Sequence, residues 1–201
     1  MKKILAIVTV FSILAINGFM LMEGGMASAA TVTNTLDVHT TGSGAAITLD
    51  YNVQLTVDAE MSLTCDTSTV SMTGSINGMT GGSATGNRDC TAITNNDVGY
   101  TMTADVTDMT DVLTGVHSFT AQTASTTGWI APGANADAFG LSNDDTGWVG
   151  SGTQLTVATS AEHTDLDGED ATVYYKAEVG AGSIMPSGLY QATSTISLYM
   201  N

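Results

Sequence analysis

The chain has 201 residues, 22 of them glycine, and carries twenty carboxylates against four lysines and arginines, a formal net charge of −16. A surface this acidic offers no electrostatic footprint for nucleic acid or anionic lipid. It suits a solvated exterior, cation binding or a salty medium.

At the N-terminus, Lys2 and Lys3 lead into an apolar run over residues 4–22, followed by the small residues MASAA. This is the layout of a secretory signal peptide over residues 1–30, with cleavage after Ala29 or Ala30. The rival reading, an uncleaved anchor, is opposed by Asn17, Gly18 and the small-residue site. Gly18 through Glu23 imitates a prepilin processing site, yet GGMASAATVTNT follows it and cannot form the long apolar helix such a site requires. No later stretch is apolar enough to span a membrane, so none is expected once the signal is removed. The expected mature chain, about 171 residues, is long enough for one domain with a real core. It keeps Arg88 and Lys176 against nineteen acids, a net charge of about −17. The expected location is secreted, extracellular or on the cell surface, with periplasmic transit in a Gram-negative cell.

Residues 31–46 carry Val32, Leu36 and Val38 at even spacing, then the flexible tether TGSGAA. A short leashed strand is what strand exchange between subunits uses, and these three residues are its candidate donors. The plainer alternative is an ordinary first strand or a frayed terminus.

Residues 47–201 are expected to form the main domain. Ile47, Leu49, Tyr51, Val53, Leu55, Val57, Ala59, Met61 and Leu63 alternate without a break with polar residues. Such a strand would exceed 50 Å at about 3.3 Å per residue, so a bend near 58–60 is expected. Further strands are expected over 69–73, 99–106, 116–123, 154–159, 172–179 and 189–200. Turn-rich stretches separate them: NGMTGGSATGN, TNND, SNDDTG and HTDLDGED. Residues 126–152 read as long loops with at most a short helical turn. In the last strand Ala192, Ile196, Leu198 and Met200 fall on one side, toward the core. Many short strands, glycine-rich turns and no helical stripe indicate an all-β, antiparallel Ig-like or pilin-like sandwich with Greek-key-type connections. Cys65 and Cys90 are the only cysteines, and in an exported chain they read as one disulfide.

Little in the sequence points to chemistry. His39, His117 and His163 sit in no catalytic signature, and GMTGG and GSATG lack the lysine of a phosphate-cradling loop. The chain therefore reads as a non-enzyme. Asp165, Asp167 and Asp170, with Asp144 and Asp145 as possible companions, are the candidate metal ligands, for calcium. An EF-hand does not fit, because Gly168 comes two positions early and Lys176 replaces the bidentate glutamate. A solvated acidic hairpin is the plainer reading. Trp129 and Trp148 are the candidate glycan contacts of a carbohydrate-binding module; the alternative is that they plug the core. Lys176, opposite Val173, Tyr175, Ala177 and Val179 on its strand, is expected to face water, which disfavours an isopeptide bond.

Two stretches carry a resemblance. CTAITNNDVGYTMTADV and VYYKAEVGAGSIMPSGLYQATSTISLYMN resemble secreted bacterial Ig-like β-sandwich surface proteins, including spore coat U, fimbrial-subunit-like and WxL-type domains. Their P-x-G-x-Y turn corresponds here to Pro186, Gly188 and Tyr190. The likeness covers roughly residues 55–105 and 170–201; no Trp-x-Leu motif is present. It implies an exported structural protein: a pilus- or fimbria-like subunit, a surface-layer subunit or an adhesin. Such a protein pairs β-strands with copies of itself or with other surface subunits. The alternatives are the carbohydrate-binding module and a calcium-stabilised adhesin.

Overall fold

The computed structural model describes residues 37–39, 48–50 and 53–201. Residues 1–30, read as a signal peptide, and the candidate donors Val32 and Leu36 lie outside the described residues. The chain divides into two units, Met1–Asp58 and Ala59–Asn201. In the first, β1 (Asp37–His39) pairs antiparallel with β2 (Thr48–Asp50), with Val38 opposite Leu49. Residues 53–58 follow outside any strand.

The second unit is all-β; the described residues contain no helix. β3 (Met61–Cys65) and β4 (Thr73–Asn77) lie end to end along one side of β5 (Gly81–Thr94). On its other side β5 pairs with β11 (Glu169–Val179) over eleven residues, from Glu169 opposite Ala92 to Val179 opposite Gly82. β8 (Asp137–Ser142) and β9 (Trp148–Gly150) complete this antiparallel sheet. A second sheet has β6 (Tyr100–Val106) at its centre, flanked by β10 (Leu155–Ser160) and the terminal β13 (Ser194–Met200). A small pair, β7 (Thr110–Asp111) with β12 (Tyr190–Gln191), precedes β13.

One apolar core joins the two sheets. From the larger come Cys90, Ala92, Phe139, Leu141, Val173, Tyr175, Ala177 and Val179; from the smaller, Tyr100, Met102, Ala104, Val106 and Val157. Period-two alternation puts them there, since every second side chain of β11 and of the C-terminal half of β5 faces inward. Each large side chain so buried stabilises by about 1.5–3 kcal/mol. Cys65 and Cys90 are register partners on β3 and β5 and form the disulfide, with Cα atoms 4.0 Å apart.

Several expected elements move. The glycine-rich stretch 77–87 is a tight β4–β5 hairpin and the start of the longest strand, not a loop. At Gly82 (φ 135°) a Cβ would lie 2.1 Å from the Ser75 carbonyl oxygen, so glycine here permits close strand approach. The strand expected at 69–73 begins only at Thr73. Residues 116–123 make only isolated bridges, among them Ala121 with Phe139. The stretch expected to be loops contains β8 and β9. The long 47–63 strand is broken: β2 and β3 take its ends, and residues 53–60 between them belong to no strand. Ile196 and Leu198 pack on the core as expected, but Met200 at 38% exposure lies beyond it.

Candidate functional site

The second unit holds a concavity of about 960 Å³ lined by residues of both sheets. One wall is formed by residues 68–72 with Ile76 of β4, the other by residues 185–194 leading into β13. Its floor is apolar and aromatic: Val106, Met109, Phe119, Phe139, Tyr175 and Ala177. The 68–72 wall is drawn inward because residue 86 is glycine; a Cβ there would meet the Val70 side chain at 2.7 Å.

The opposite wall is fixed by specific contacts. The Met185 amide donates to the Gly78 carbonyl (2.9 Å), closing one end. Phe119 and Tyr190 meet edge to face, 5.5 Å between centroids, and the Tyr190 hydroxyl donates to the Pro186 carbonyl (3.0 Å). Pro186 and Tyr190, singled out in sequence, thus build this wall together. The hydroxyls of Tyr175 and Ser194 hydrogen-bond at 2.8 Å, linking β11 to β13 across the layers. Burial pushes both Tyr175 and Tyr190 up from the ordinary phenol range, and for Tyr190 the Asp111 and Asp137 charges add to the rise.

Arg88 is the only charged residue lining the cleft. Its Nε is buried without a hydrogen-bond partner. No acid, histidine or thiol lines the cavity. The arrangement can receive apolar side chains, main-chain hydrogen bonds at its strand-edged rim, and one anionic group at Arg88.

The other candidates fall elsewhere. Trp129 and Trp148 do come together, edge to face at 5.1 Å. Trp148 is 2% exposed, its indole N–H donating to the Asp145 carbonyl (3.3 Å), and so has no face free for a sugar ring. Lys176 Nζ lies 4.8 Å from the centre of the Trp129 ring and 3.3 Å from Glu178 Oε2. Lys176 is therefore on the outer face of β11, as expected, but covered by Trp129 instead of facing water. The Gln122 amide, oriented to bond both ways to the Ile130 backbone (2.9 and 3.2 Å), holds this covering segment in place.

Asp165, Asp167 and Asp170 do not assemble as a ligand set. Asp170 accepts from the Thr91 hydroxyl (2.6 Å), and the Asp165 carbonyl accepts from the Gly168 amide in a tight turn. Among the described residues no three histidines, cysteines or acids converge on a common point. Asp144 instead organises its own turn. Hydrogen bonds from Thr146, then from the Gly147 amide, hold its carboxyl well below the usual range. Asp145 takes the left-handed conformation (φ 60°). His163 and Asp97 approach at 3.7 Å on the exposed surface.

The cleft was not visible in the sequence. Its one available signal was Arg88, one of only two lysines or arginines after residue 3, on an inward-facing position; the glycines around it disguised β5 as a turn. Compared with known proteins, the chain matches no family model, no curated protein and no solved structure.

Proposed function

We propose that this chain is an exported, non-enzymatic structural subunit of the cell surface or of a filament, assembling by β-strand pairing with copies of itself. One observation carries the reading: a cleft with an apolar floor, lined in part by β4 and β13, strands that pair on one side only among the described residues. An edge row of unpaired N–H and C=O groups is a template for another strand, and an apolar floor rewards alternate side chains laid across it. The layout of residues 1–30 and the Cys65–Cys90 disulfide accord with export. The resemblance of the 186–190 turn and terminal strand to spore coat U and fimbrial-subunit-like domains points the same way.

The test is self-association of the mature chain, residues 31–201. Light scattering and electron microscopy across a concentration series should show multimers or filaments. A mature chain that stays monomeric at millimolar concentration overturns the reading.

A further inference from the structure

Arg88 stands where the inner face of a sandwich calls for an apolar residue. On β5 it shares that face with Gly86, Cys90 and Ala92, and its register partner on β11, Val173, is 0% exposed. It also sits at a gap, because β3 pairs with β5 only over Cys90–Thr94 and β4 only over Gly81–Thr85, so neither strand reaches Arg88. The side chain is half-buried, its Nε is enclosed without a hydrogen-bond partner, and no acid lines the cleft. The ion pairs among the described residues are those of His163 with Asp97 and Lys176 with Glu178; Arg88 has none there. An unpaired guanidinium on an inner face costs free energy, and a partner from outside the chain would offset that cost. Two hydroxyls supply a further donor. Tyr175 and Ser194, both lining the cleft, hydrogen-bond to each other at 2.8 Å. The pair holds two O–H protons and uses one between them, which leaves the second to donate to a ligand. Burial raises the Tyr175 hydroxyl, while the Ser194 hydrogen bond and then the Arg88 charge draw it back, so the guanidinium lies within electrostatic reach of the pair.

We propose that the cleft binds a small amphipathic carboxylate, an alkyl chain ending in one carboxyl group, with the head on Arg88 and the chain along Phe119, Phe139 and the methionines Met72, Met109 and Met185. A guanidinium meets a carboxylate through two parallel N–H donors, and an apolar surround strengthens the pair. One guanidinium in a chain of net charge −16 balances one negative charge, which favours a carboxylate over a doubly charged phosphate monoester. An alkyl chain leaves no polar group to satisfy on the apolar floor, and the unbranched methionine side chains adapt to its shape. The volume, about 960 Å³, lies within the range of small-molecule sites, roughly 300–1,000 Å³. The site is complete in one copy and does not rest on assembly. A ligand there and a strand laid over the same floor exclude each other, so binding is measured on the dilute chain.

The experiment is calorimetric titration of the dilute mature chain with decanoate below its micelle concentration, which should show one site per chain. Decanol, with the same chain length and no charge, should bind more weakly by about tenfold or more, the value of a charge-assisted pair. Decyl phosphate binding as tightly as decanoate would overturn the choice of a carboxylate. Arg88→Met should weaken decanoate by about tenfold to a hundredfold and leave decanol unchanged. The same variant should melt at or above the wild-type temperature, because it removes an unpaired charge from an inner face. A lower melting temperature would assign Arg88 to holding the fold and overturn the proposal. Decanoate binding that is absent from the wild-type chain, or unchanged in Arg88→Met, would overturn it equally.

Discussion

Two stretches of this chain carry the same pattern and meet opposite fates. VQLTV at 53–57 and VYYKAEV at 173–179 both alternate apolar with polar residues. In the second, Val173, Tyr175, Ala177 and Val179 are all buried, and β11 is paired on both sides, with β5 and β8. In the first, every apolar side chain is exposed and the backbone has no ladder partner among the described residues. Period-two alternation states that a segment can bury one face; it does not say which molecule supplies the other half. The difference teaches that alternation by itself does not decide whether a segment is buried.

The sharpest way to break the comparison is to give both stretches the same insult. Val173→Asp places an unpaired charge at a position with 0% exposure and should cost about 4 kcal/mol or more, abolishing cooperative unfolding, whereas Leu55→Asp should leave the melting temperature of the single copy unchanged. Equal effects would mean that residues 53–57 are packed after all. Next in size, replacing both Cys65 and Cys90 with alanine should destabilise the second unit by roughly 3–4 kcal/mol, read from the denaturant midpoint. Leu141→Ala, on β8 beside β11, should cost about 2–5 kcal/mol, whereas Leu55→Ala should fall within about 0.5 kcal/mol of wild type.

A smaller effect appears with pH. Burial, then the hydrogen bond to Glu169 (2.8 Å), pushes Tyr100 up to about 12, against 10 for an ordinary tyrosine. The unfolded chain loses this proton near pH 10, while the folded chain keeps it to about pH 12. The contribution is complete below pH 10 and is lost as the pH rises through that window. Denaturant midpoints at pH 9 and 11 should therefore fall less in Tyr100→Phe than in wild type, and an identical fall would remove Tyr100 as the cause.

Much of the second unit was legible residue by residue. The strands at Tyr100–Val106, Leu155–Ser160 and Glu169–Val179 follow from alternation of β-branched and aromatic residues, a local property. The disulfide followed from the only two cysteines of a chain read as exported. β5 was hidden because its glycines answer to neighbours: Gly82 to the Ser75 carbonyl and Gly86 to Val70, contacts that exist only once the chain has folded. β8 was hidden for a related reason, since Gly140 is packed against Gln122 and Ser142 is buried, so the strand does not alternate in polarity. Trp129 illustrates the same limit, because its contact with Lys176 joins residues 47 positions apart.

Composition and alternation alone settle that this is an all-β, strongly acidic chain with one cross-link, because each of these is a property of residues taken singly or in adjacent pairs. The cleft between β4 and the 185–194 wall, the burial of Trp148 and the exposure of Val53, Leu55 and Val57 belong to the tertiary structure. They depend on which strand edges meet, and edge pairing is decided by long-range register and packing that no local window contains.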